Sequence, residues 1–235
     1  MSLLRCTRRL LRNASGVAMT EFALGAPFLV MAGLWGTELA NYALINMKVG
    51  QLATHIADNA SRVGDTSTLQ NRKIYESDID DVLIGANIQA GTAMDLYTNG
   101  RVIVSSLEVW DNSVHGGGSG GHSDGQQFIH WQRCLGARNV SSSYGHQNQA
   151  LPEGIGPEDN EVSAEAGAPV IFVEINYEYQ PLISARFLGD LNISSIASFM
   201  VRDSRDLSGV MQRNPDEPDE IADCNTYTDG SELID

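Results

Sequence analysis

Positive charge is scarce in this chain: lysine occurs only at Lys48 and Lys73, and 15 basic residues face 30 acidic ones for a net charge of −15. Four of the 15 are Arg5, Arg8, Arg9 and Arg12, ahead of the first acidic residue, Glu21, so 11 basic residues remain against all 30 acidic ones from Val17 onward. A surface that acidic repels nucleic acid and anionic headgroups, which excludes DNA or RNA as a partner. The chain also lacks a Gly-x-Ser-x-Gly elbow, a Ser-x-x-Lys motif and a His-Glu-x-x-His helix. No enzymatic activity and no cofactor is therefore expected. With 235 residues there is room for one anchor and one modest domain that buries its own core.

What the chain does have, early on, is a long apolar run. Residues 22–37 carry no charge, and starting at Val17 brings the run to the roughly 20 residues a spanning helix needs, at the cost of including Glu21. A carboxylate one turn inside the membrane edge reaches the headgroups or takes up a proton, so it costs far less there than at the bilayer centre. The preceding arginines predict a cytoplasmic N-terminus and an outward C-terminal domain. Cys6 then lies inside, whereas Cys134 and Cys224 both lie where disulfides persist. Their pairing is the expectation, with two separate thiols as the alternative.

Beyond the span, Leu39, Tyr42, Ile45, Val49, Leu52, Ile56, Ala60 and Val63 recur every three or four residues. That spacing predicts one apolar stripe on a helix continuing to Val63, with Gly64 ending it. A polar connection over 65–72 precedes a second helix over 77–89. The period then drops to two, predicting strands over 101–110, 127–133, 170–179 and 193–201. In the third, Ile171, Val173, Ile175, Tyr177 and Tyr179 alternate with Glu174, Asn176 and Glu178, the pattern of a half-buried antiparallel strand. Residues 138–168 read as a mobile irregular stretch, and 214–235 as a solvated acidic tail ordered only near Cys224.

Three polar clusters invite chemistry. The glycine-rich 116–121 has no lysine behind it and reads as a hairpin tip rather than a phosphate loop. His115, His122, Asp124 and His130 offer zinc-type ligands, but their spacing matches no closed metal site, so they read as solvated loop residues and no metal is expected. The tail's carboxylates lack the spaced ligands of a calcium loop.

Gly16-Val17-Ala18-Met19-Thr20-Glu21-Phe22, behind an arginine-rich leader, and Ala23-Leu24-Gly25-Ala26-Pro27 after it, resemble the opening of TadE-like proteins of tight-adherence (Tad/Flp) pilus systems. The strand from Val173 to Pro181 and Trp131-Gln132-Arg133-Cys134 are similar to later parts of that family. The resemblance implies cleavage by a prepilin peptidase after Gly16, which makes Val17 the first mature residue, Glu21 the fifth and Phe22 the sixth. It also implies that Glu21 of one subunit neutralises the new α-amine of another. The expected architecture is α+β and pilin-like: leader 1–16, transmembrane helix 17–37, helix extension 38–63, extracytoplasmic domain 64–213 and tail 214–235. The expected function is a minor pilin or assembly component in a bacterial inner membrane, with pilus components as partners. The alternatives are a secreted or periplasmic enzyme with an ordinary signal peptide, or a single-pass binding protein unrelated to pili.

Overall fold

The computed structural model describes residues 14–65, 71–116, 121–183, 189 and 191–230; the leader arginines and Cys6 lie outside these. Helix α1, Ala14–Ala60, runs for 47 residues through Pro27, a length of about 70 Å at 1.5 Å per residue. After it come β1 (Arg72–Tyr75), α2 (Glu76–Ala90), the single turn α3 (Leu96–Asn99), and strands β2 (Gly100–Val109), β3 (Gln127–Leu135), β4 (Val170–Glu178), β5 (Asn192–Met200) and β6 (Arg205–Met211). The fold is α+β, as the change of period predicts, and α2 and β2 to β5 fall within two residues of their expected bounds.

The main sheet has the order β3-β2-β4-β5 and is antiparallel throughout. Its helix-side face carries Val102, Val104, Ile171, Val173, Ile175, Tyr177 and Ile193, which bury against Val49, Leu52, Ala53, Ile56, Ala57 and Ala60 of α1 and Ile79 and Leu83 of α2. At Gly50 α1 passes beside β5, where an added Cβ would make an ordinary contact of 3.7 Å with Ser195 Oγ. The stripe begins at Tyr42 rather than Leu39, which is 68 % exposed.

Both faces of β4 are buried, which corrects the half-buried reading. The stretch 138–168, expected to be loose, folds over the second face and packs Ile155 and Ala164 against Leu107, Ile129, Val170 and Phe172. Glu174 points into this cover, accepting a hydrogen bond from the Ser142 hydroxyl and one from the Ser143 amide at 3.0 Å. A polar side chain in alternation therefore marks a satisfied buried acceptor here, not a solvent face.

The sequence also missed a second, two-stranded sheet in which β1 pairs with β6 in parallel. Its role is to close α1. Arg205, at the start of β6 and 5 % exposed, donates to the carbonyls of Ser61 at 3.1 Å and Val63 at 2.9 Å. This supplies a cation where the helix's own last turn has none.

Candidate functional site

The two halves of α1 have opposite environments. Across its first half Val17, Phe22, Leu24, Phe28, Leu29 and Val30 are 58–74 % exposed. This is a helix long and apolar enough to cross a membrane, and none of the described residues covers its apolar window. Gly16, Val17, Glu21 and Phe22, the residues on which processing and assembly were expected to rest, all stand exposed near its start. Gly16 has no heavy atom within 4 Å of an added Cβ. Glu21 has no partner among the described residues.

Burial starts abruptly at Glu38, which is 3 % exposed although it follows directly on the apolar run. One carboxylate oxygen accepts from the Tyr179 hydroxyl at 2.5 Å and the Leu182 amide at 3.2 Å, and the other from the Ile183 amide at 3.0 Å. Asn41 donates to the same tyrosine oxygen at 2.7 Å, and the Tyr42 and Tyr179 rings meet edge to face at 5.2 Å. Glu38 thus fastens the chain leaving β4 to the helix where the bare half ends. Sequence reasoning passed over it; a lone carboxylate just past a span was the available signal.

At the far end of the sheet the histidines gather, against the expectation that they are solvated. Glu108 is 3 % exposed near the end of β2, and its carboxylate lies 3.0 Å from His130 Nδ1 and 3.5 Å from His115 Nε2. A β-bulge places His130: Ser106 pairs with Trp131 and the next residue, Leu107, with Ile129, leaving His130 as the extra residue. Bulges re-aim side chains in this way, and here His130 turns to Glu108. His115, its side chain 3 % exposed, is held over Trp110 at 5.0 Å and against Phe128 at 5.3 Å between ring centres. His122 packs on the same two rings, and Asp124 accepts from the Asn112 amide at 3.1 Å instead of joining the cluster. Burial opposes the charge on Glu108, yet the two imidazoles and the Ser106 hydroxyl outweigh it and hold the carboxyl below its usual range. The same carboxylate raises the His115 imidazole above its ordinary value against opposing desolvation.

Cys134 and Cys224 are bonded, with Cα atoms 4.7 Å apart. Around Cys224 the tail is tied to the end of β3. Backbone bonds run from Cys134 to Ala222 at 2.8 Å and from Gly136 to Thr228 at 3.1 Å. The buried Arg101 guanidinium donates to the carbonyls of Gly136, Cys224 and Thr226 and lies 4.2 Å from the Tyr227 ring centre. On α2, Glu76 forms a two-pronged ion pair with Arg133 of β3. Asp80, one turn later, has a buried oxygen with no hydrogen-bond partner among the described residues. Desolvation first, then the charges of Glu76 and Asp219, push its carboxyl up to about 7.

Comparison with protein-family models, curated proteins and solved structures finds no match to this chain.

Proposed function

We propose that this chain is a TadE-like minor pilin or assembly component of a Tad-type pilus, anchored in the inner membrane by the first half of α1 and acting through helix packing and subunit contacts. The observation that supports this reading is one continuous helix, Ala14–Ala60, bare and apolar in its first half and built into the core of an antiparallel domain in its second. Such a subunit hands its exposed half to lipid or to the same helix in a neighbour. The sequence Gly16-Val17-Ala18-Met19-Thr20-Glu21 supplies the processing site and the charge that the resemblance implies.

Glu21 has a defined part in this scheme. Leader removal after Gly16 creates an α-amine on Val17, and a carboxylate at the lipid boundary is unfavourable until such a cation meets it. Glu21→Ala makes the span more apolar, so the protein still inserts, while association with partner subunits fails. Membrane fractionation together with crosslinking of assembled pilus components reads both effects. A Glu21→Ala protein that inserts and assembles like the wild type refutes the role given to Glu21.

A further inference from the structure

The Glu108, His115 and His130 cluster plays no part in an anchor or in helix packing, and its chemistry is that of a ligand set. We propose that these three side chains bind one divalent transition-metal ion of the zinc type, which fastens the connection between β2 and β3 to the end of the sheet.

One donor atom from each residue lies within 4.8 Å of the others. Zinc bonds of about 2.0–2.1 Å in a tetrahedral arrangement place neighbouring donors about 3.3 Å apart. The observed separations of 3.0 Å from Glu108 to His130 and 3.5 Å from Glu108 to His115 bracket that value. Two imidazoles and a carboxylate favour zinc and its neighbours over calcium or magnesium, which take oxygen ligands.

A hydrogen-bonded hub centred on Glu108 is the competing explanation, and titration with Co2+ and Zn2+ separates it from a metal site. His115 Nε2 is buried and points at the carboxylate from 3.5 Å, an ion-pair separation longer than a close hydrogen bond. The opposite ring nitrogen, Nδ1, faces the Asp111 carbonyl oxygen at 3.2 Å and the Asp111 amide at 3.0 Å; the first contact suits a proton on Nδ1 and a metal on Nε2, the second a proton on Nε2. Glu108 is braced in the same way: its other oxygen accepts from the Ser106 hydroxyl at 2.8 Å. The Trp110 and Phe128 rings wall the cluster. Arg205 is the nearby cation, and its guanidinium is turned toward the end of α1. Two ligands stand on adjacent hydrogen-bonded strands, so most of the site exists before an ion arrives. The third comes from the β2–β3 connection, whose position the ion would fix.

The inference is independent of the pilus reading, and its test uses no pilus assay. The full chain, extracted in detergent and stripped with a chelator, is titrated with Co2+ and then Zn2+. The expected result is one equivalent of Co2+ with the intense visible bands of a four-coordinate site, displaced stoichiometrically by Zn2+. X-ray absorption of the zinc-loaded native chain should count two imidazole ligands. His115→Ala and His130→Ala should each lower zinc affinity at least about tenfold, while His55→Ala and His146→Ala leave it unchanged. Because the native chain carries the spectroscopic readout, a variant that misfolds does not blunt the test. Failure of the native protein to bind a stoichiometric ion, absorption data without imidazole ligands, or affinity that survives both substitutions overturns the proposal.

Discussion

The two halves of α1 share a helix and differ in almost everything else. Residues from Val17 to Val30 offer large apolar side chains on every side and bury none of them, whereas Val49, Leu52, Ala53, Ile56, Ala57 and Ala60 are at most 2 % exposed. The second half carries His55, Asp58 and Asn59 on its other faces, the mark of a helix with water on one side and protein on the other. The first half has no polar face, the mark of a helix surrounded by apolar material. Glu38 stands at the change, its charge met entirely by groups at the end of β4 and just beyond it. Helix formation is thus common to both halves, and what covers the helix is what separates them.

The comparison breaks most forcefully at the disulfide. Joining residues 90 apart stabilises the covered half's domain by about 4–5 kcal/mol in the chain-entropy model. Cys134→Ser with Cys224→Ser should lower domain stability in denaturant by close to that amount, while membrane retention is unchanged. Next in size is a matched pair on α1. Leu52→Ala, at a position 1 % exposed, should cost about 2–5 kcal/mol, whereas Leu29→Ala, at a position 74 % exposed, should leave the domain's unfolding midpoint unmoved. Equal losses at the two positions would mean that the bare half is packed in the folded domain after all.

The smallest effect is that of pH. Asp80, on the helix that packs beside the covered half, has its folded-state carboxyl raised from 3.8 to about 7. Between those values the folded state keeps a proton that the unfolded chain has released, so stability falls as pH rises from about 4 to about 7 and then levels. Asp80→Asn should remove that slope and stabilise the domain at pH 8 by about 1–2 kcal/mol, allowing for partial solvent screening. Unfolding midpoints at pH 5 and pH 8 give the answer.

Much of this architecture was legible because its signals are local. The 3.6-residue stripe on α1 and the alternation in β2 to β5 follow from side-chain direction alone, and the cysteine pairing is expected because Cys134 and Cys224 both follow the apolar run whereas Cys6 precedes it. What escaped depends on contacts distant in sequence. Nothing in Arg72–Tyr75 announces that it will pair with Arg205–Met211, more than 130 residues away. Glu174 alternates as a solvent-facing residue does, and the folding of 138–168 over it supplies its partners Ser142 and Ser143 and buries it. His115 and His130 were visible as zinc-type ligands, but Glu108 and the grouping of the three escaped for a geometric reason. His130 reaches Glu108 through a bulge and His115 arrives from a connection, so no fixed sequence spacing brings the three together. Glu38 could have been suspected, since a carboxylate directly after an apolar run needs a partner.

The central claim, that the bare half of α1 is a processed pilin-type anchor, is tested most directly by the N-terminus of the protein recovered from membranes. Mass spectrometry of the native chain and of Gly16→Leu should find Val17 with a free α-amine in the first and the uncut leader beginning at Met1 in the second. A native chain that begins at Met1, or one cut after the apolar run as an ordinary signal peptide is, would contradict the account.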